Sequence, residues 1–540
     1  MNFTILDNVL CYEGVAIANF IPTVLGTYQP DNDPEGQLQL LLEIQRENTI
    51  PRTLVWAAER LDELNLEKLI PGCICCDDCG HSTKRLINTY LRLQLCKLQS
   101  PPGIYINSTG WHNQNGEYQY FFGDSSTNFL EEASVNAAPP YLIAATVADY
   151  HLATAAGLSE SEAVEKLLQT FALHPDVCFP VWGFSLFSVM RSFLQDSGMP
   201  TACILYLIAA QGFGKTSTAK ALCQLFNHAS DQIADVFDAG STIASMQSIL
   251  MHARDRAVLF DDVFIGTNKA KQRERRDNAS MLLRFAANEI PISKKVGSRE
   301  RSTNCTASLV VTGEIPMESA SDVTRCVIVR IQNRLAGFSP SLDLDALRHT
   351  AATAMQGFLL WFGKQYESKK LRIQADAAKL LSPYNAIPNE RVKKSLFELY
   401  WLLGSFFDYA EEIKAISANA RHQLEHASEQ AFRQVWQNIQ SELRRIENRP
   451  PTLAEAISSG IRSKRLPAFG HAGCACVRTD ALIAYLQQVY QRSDLSAHFV
   501  NSALRRLNLL SLDNTGKSTK KIGGKRYLCI LLSQLHPCNI

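Results

Sequence analysis

Residues 204–218 read ILYLIAAQGFGKTST, and AKALCQLF follows. An apolar run, a glycine-rich turn, Lys-Thr and a helical pattern succeed one another in the order a chain needs to wrap a phosphate. Gly212 and Gly214 relieve the steric limits of the turn, so the backbone N–H groups from Gln211 to Lys215 can converge on an anion. Lys215 would reach the β- and γ-phosphates of ATP, and Thr216 would set its hydroxyl on Mg²⁺. The expected binding segment is Gln211, Gly212, Phe213, Gly214, Lys215, Thr216 and Ser217, and the helix that follows turns its positive end toward the anion. Ala209 stands where the usual pattern begins with glycine, and GFGKTS alone is also compatible with a structural turn.

A second signal lies in AVLFDDVF, where the apolar run Ala257 to Phe260 reads as a buried parallel strand with two carboxylates at its end. Ligands of open α/β sheets bind outside the carboxyl ends of the strands, where the phosphate loop also lies. Asp261 would join Thr216 in holding the metal, and Asp262 would orient or deprotonate the attacking water. An acidic pair after a strand is, by itself, as readily a helix cap or a turn. In this order the two motifs support each other. A third run, SLVVTGE, places Thr312 where it could contact the γ-phosphate. Arg325 precedes the strand CVIVRI; held at a subunit edge it could stabilise phosphoryl charge in a neighbour's site, or it is a surface charge in a salt bridge.

The ordered set GFGKTS, VLFDDV, VVTGE and an arginine just after resembles the helicase-like ATPases of bacterial mobile genetic elements and phages, within the AAA+ and superfamily-three helicase assemblage. Upstream, GIYINSTGWHNQNGEYQYFFGD is similar to a β-rich segment with a Gly-Trp hairpin that such proteins carry. The resemblance spans residues 100–335. It implies a Mg-ATP-driven DNA helicase or translocase that forms a homo-oligomeric ring, a hexamer, with single-stranded DNA in its channel and priming supplied by a primase partner. Asp262 stands where many relatives have glutamate, and the shorter carboxylate keeps a second reading open: a nucleotide-gated DNA-binding initiator or regulator with little turnover. A third is an ATPase that remodels proteins.

At 540 residues the chain exceeds a single core, and ~three to four domains are expected. The fold class expected is α/β, a P-loop parallel sheet core with flanking modules. Residues 1–140 read as an α+β N-terminal domain and 141–199 as a helical lead-in whose Ser159 and Glu162 have capping-box spacing. Residues 200–335 form the ATPase core, 336–450 a helical region and 451–540 a winged-helix-like domain. The opening MNFTILDNVLCYEG predicts no secretory signal, and no apolar stretch reaches the ~18–20 residues that cross a bilayer. Cysteines scattered through apolar segments fit a reducing cytoplasm, so a cytoplasmic protein with no membrane partner is expected.

Basic and acidic side chains nearly cancel, 54 against 53, but they are segregated. From Gly266 to Arg301 ten basic residues face four acidic ones; Lys294, Lys295, Arg299 and Arg301 are the candidates for tracking a DNA backbone, against a solvated charged loop. From His498 to Arg526 seven basic residues accompany one acidic residue. There two helical patterns and a hairpin resemble a winged helix, with Arg505, Arg506, Lys520, Lys521 and Lys525 as candidate duplex contacts; such a module also serves protein contacts. Cys73, Cys75, Cys76, Cys79 and His81 suit zinc by chemistry, but one short loop rarely closes a tetrahedron, so no metal site is assigned there.

Overall fold

The computed structural model describes residues 2–30, 37–76, 82–98, 100–114, 117–123, 141–199, 203–228, 232–237, 245–246, 249–250, 253–261, 280–287, 292–296, 299–303, 307–314, 317, 319–333, 335, 344–380, 387–447, 451, 453–490, 494–512 and 516–534. Two compact units result, Met1–Leu443 and Arg444–Ile540. Among the described residues no helix is long and apolar enough to cross a membrane.

The first unit is organised by a five-stranded, all-parallel sheet in the order Val236–Phe237, Ala257–Phe260, Ser308–Gly313, Ile204–Ala209, Cys326–Ile331. Every residue of Ile204–Ala209, Ala257–Phe260 and Ser308–Gly313 is buried, as strands covered on both faces require, and all but Ser308 and Thr312 are apolar or glycine. Helix Pro175–Val189, buried from Val177 onward and apolar all round, packs against Cys326–Ile331 and against helix Lys215–Cys223. The exposed edge of Cys326–Ile331 is closed by helix Ala418–Glu447: Asn438 Nδ2 donates to the Ile328 carbonyl at 3.1 Å, and Arg330 pairs with the buried Glu442. An α/β P-loop-type core with a helical region is thus the observed architecture.

Upstream, strands Phe20–Pro30, Gln39–Arg46 and Arg52–Ala57 pair antiparallel, and Gly103–Ile106 and Tyr141–Ile143 add parallel to the first. Helix Thr83–Lys97 lies on this sheet, with the Gln94 amide bonded to Val24 N and the Pro22 carbonyl, both at 2.9 Å. The β-rich stretch 103–123 divides between two sheets. Gly103–Ile106 belongs to the mixed sheet, and only Gly110–Gln114 and Glu117–Phe121 pair as a hairpin. The apolar GIYI run is drawn into the larger sheet because a two-stranded ribbon could not bury it. The capping box is present: Glu162 N donates to Ser159 Oγ at 3.3 Å while Ser159 N donates to the Glu162 carboxylate at 3.1 Å.

The second unit has helices Leu453–Arg462, Thr479–Tyr490 and Ala497–Arg506 around a core of Ile457, Leu482, Leu486, Val500, Leu504, Leu528 and Ile530. Its antiparallel sheet runs Ala468–His471, Cys474–Val477, Lys525–Leu531, Thr519–Ile522. Gly523 and Gly524, at φ 55° and 84°, make the tight turn of the last hairpin.

Candidate nucleotide-binding site

Because the five strands run the same way, their carboxyl ends share one edge. Ile208 pairs with Gly313 and Phe260 with Val311, so the loop after Ala209, the Asp261 carboxylate and Thr312 emerge side by side. The strand Ser308–Gly313 lies between the other two, which lets Thr312 face an acid from one neighbour while the loop leaves the other. Thr216 Oγ1 donates to Asp261 Oδ1 at 2.8 Å, and Thr312 Oγ1 donates to the same oxygen at 2.5 Å. Lys215 is only 6% exposed and holds Nζ 3.6 Å from Glu314 Oε1.

The loop itself explains its composition. Gly212 and Gly214 take φ of 79° and 92°, a region closed to most side chains, and Gly214 caps the helix Lys215–Cys223. Phe213 N donates to the Ala210 carbonyl at 3.3 Å, and Thr218 Oγ1 to that of Gly214 at 2.8 Å. Ala209, in contrast, is the last strand residue, paired with Ile331, buried, and not in a left-handed conformation. A glycine is therefore unnecessary at that position. Thr216 and Asp261 present oxygen donors 2.8 Å apart at a half-buried edge, a donor set that fits Mg²⁺, which takes few protein ligands and keeps water.

Other expected residues are not gathered at this edge. Arg325 precedes Cys326, which pairs with Ile204, so it lies at the amino end of the sheet, a six-residue strand away from the loop, ~20 Å. Its Nη1 donates to the Ser321 carbonyl at 2.6 Å. Asp262 lies outside the described residues. For Lys294, Lys295, Arg299 and Arg301 the backbone alone is described: Ile292–Val296 and Arg299–Thr303 form an antiparallel pair in which Lys294 opposes Arg301 and Val296 opposes Arg299. In the second unit Arg505 and Arg506 are exposed in the last turn of their helix, and Lys521 and Lys525 are exposed on the last hairpin. Lys520 is half-buried, with Nζ 3.0 Å from Ser511 Oγ. Cys79 and His81 lie outside the described residues, and no metal-holding cluster exists among the described residues.

One buried acid escaped the sequence reading. Asp255, fully buried just before the Asp261 strand, accepts from Ser192 N at 2.8 Å and Trp111 N at 3.1 Å. Burial pushes its carboxyl up from the ordinary value, and Arg254 and these N–H groups pull against that. Gly110, at φ 104°, is required here because a Cβ would collide with the Asp255 carboxylate. Arg254 Nη2 donates to the Trp111 carbonyl at 2.8 Å, and the Trp111 indole donates to the Val189 carbonyl at 2.8 Å. The Gly-Trp hairpin is thus pinned to the base of the strand that carries Asp261. Charged residues heading an apolar strand were the only local hint. Replacing Trp111, 2% exposed, with alanine is expected to destabilise the first unit by about 3 kcal/mol, read as a shifted urea midpoint. An unchanged midpoint would show that the hairpin is not part of the core.

No protein-family model matches the chain, and no curated protein sequence matches it. Among solved structures, "SCCmec type IV Cch - active helicase" is 13% identical, with a TM-score of 0.55 over 98% of this chain and 97% of that one. The NrS-1 C-terminal region is 10% identical and covers 94% of this chain and 96% of that one, at a TM-score of 0.29. The JCV helicase is 14% identical over 51% of this chain and 69% of that one, at 0.19. The last two scores are too low to carry an argument. Along nearly its whole length, the chain shares the fold of that active helicase.

Proposed function

We propose that this chain is a Mg-ATP-driven DNA helicase or translocase acting in replication of a mobile genetic element. The observation that carries the reading is the meeting of Lys215, Thr216, Asp261 and Thr312 at one edge of a parallel sheet. Backbone N–H groups from Gln211 to Lys215, with Gly212, Phe213 and Gly214 shaping the turn and Ser217 in the first turn of the helix, cradle the triphosphate. Lys215 balances the β- and γ-phosphate charge. Thr216 and Asp261 hold Mg²⁺, which neutralises charge on the phosphate oxygens when bound. Thr312, hydrogen-bonded to Asp261, couples that acid to the strand between the two motifs and senses the γ-phosphate. Asp262 orients the attacking water.

Arg325, at the far end of its own sheet, serves the site of a neighbouring subunit, which favours a homo-oligomeric ring, a hexamer in this reading. In this reading Lys294, Lys295, Arg299 and Arg301, on the paired strands Ile292–Val296 and Arg299–Thr303, follow the phosphates of a single DNA strand in the ring's channel. In the second unit a helix, two strands, two helices and a C-terminal hairpin follow one another, an order that supports reading it as a winged-helix-like module with Arg505, Arg506, Lys520, Lys521 and Lys525 toward duplex phosphates. A primase partner would supply priming.

The test is ATP hydrolysis with and without single-stranded DNA, in the wild type and in Asp262→Ala. Turnover should rise with DNA and fall by about a hundredfold in the variant. ATP binding with negligible turnover in either protein would favour the nucleotide-gated initiator instead.

A further inference from the structure

Glu314 lies one residue beyond the strand whose Gly313 pairs with Ile208, level with the start of the phosphate loop. Its Oε1 is 3.6 Å from Lys215 Nζ. Any group that close to the ammonium lies beside the γ-phosphate that Lys215 reaches in the reading above. The two side chains differ in wetness: Lys215 is 7% exposed and Glu314 35%, so water reaches the carboxylate while the ammonium stays enclosed. Asp261 Oδ1 is already engaged by two hydroxyls, and the reading above gives this carboxylate to the metal. Among the described residues Glu314 is the acid paired with Lys215. Like charge forbids its direct contact with the phosphate, but a water fits between a carboxylate and the phosphorus as the nucleophile of in-line attack.

We propose that Glu314 takes the proton of the water that attacks ATP. This deepens the ATPase reading and rests on it. As the water oxygen bonds to the γ-phosphorus, the bond from that phosphorus to the β,γ-bridging oxygen breaks. One proton of the water passes to the Glu314 carboxylate, and ADP and inorganic phosphate leave. In the reading above Asp262 orients the same water, and Glu314 removes its proton.

The test compares wild type, Glu314→Gln and Glu314→Asp by single-turnover hydrolysis at saturating Mg-ATP and by binding of a fluorescent ATP analogue. Glu314→Gln should lose about a hundredfold or more in hydrolysis while analogue affinity holds or rises, because Lys215 sheds a competing partner. Glu314→Asp should recover part of the rate, since a carboxylate remains. A Gln variant within about threefold of the wild-type rate overturns the assignment and leaves the ATPase reading standing. Equal loss of binding and hydrolysis in both variants overturns it too, because a structural prop behaves that way. A wild type that binds no analogue removes both readings together.

Discussion

Lys215→Ala is expected to reduce ATP turnover by at least about a thousandfold and to weaken nucleotide binding with it. The expectation follows from position. The side chain is enclosed, at 7% exposure, and it is the only basic one placed at this edge among the described residues of the loop. A charge that has already left bulk water interacts with phosphate far more strongly than a surface lysine could. The fold should survive its loss. The helix Lys215–Cys223 is held by Ala219, Ala221, Leu222 and Cys223, and the Glu314 carboxylate left behind is one-third exposed and can hydrate. A filter-binding or fluorescence titration with an ATP analogue, a phosphate-release assay and a melting curve separate these effects. Retained turnover with an intact fold would remove Lys215 from the chemistry and would sink the reading of this edge as an ATP site.

The loop could be read from sequence because its geometry is local: two glycines, a lysine and a threonine within one turn specify their own shape. The substituted Ala209 looked like a defect in that pattern. It is harmless because position 209 is strand, where an ordinary side chain is at ease. The acidic strand and SLVVTGE could be read for a similar reason, since an apolar run ending in polar residues announces a parallel strand and its tip. Lateral order in the sheet could not. Nothing in the spacing says that Ser308–Gly313 is inserted between Ile204–Ala209 and Ala257–Phe260, yet that insertion creates both the Thr312–Asp261 hydrogen bond and the Lys215–Glu314 pair. The Trp111–Asp255 contact was equally hidden, because it joins residues 144 positions apart and depends on a glycine whose conformation only the docked hairpin requires. Local periodicity carries no information about such a pairing.

Arg325 makes the strongest demand on assembly. Within one chain it lies at the end of the sheet opposite Lys215, and no side-chain rearrangement spans a distance of ~20 Å. If it acts on ATP, it acts across a subunit boundary. Arg325→Ala should therefore lose about a thousandfold in turnover while binding nucleotide like the wild type. Lys215→Ala should lose both. Mixing the two inactive proteins discriminates further. In a head-to-tail ring each site takes its loop from one subunit and its arginine from the next, so random mixing leaves about one interface in four with both groups intact. Activity should reappear to that extent, and only under conditions in which subunits exchange. An arginine acting within its own chain would give no recovery at any ratio, since each polypeptide would carry a complete defect. Recovery would show that the nucleotide is shared between subunits. Its failure, with both variants folded and assembled, would return Arg325 to the role of a surface charge held by Ser321.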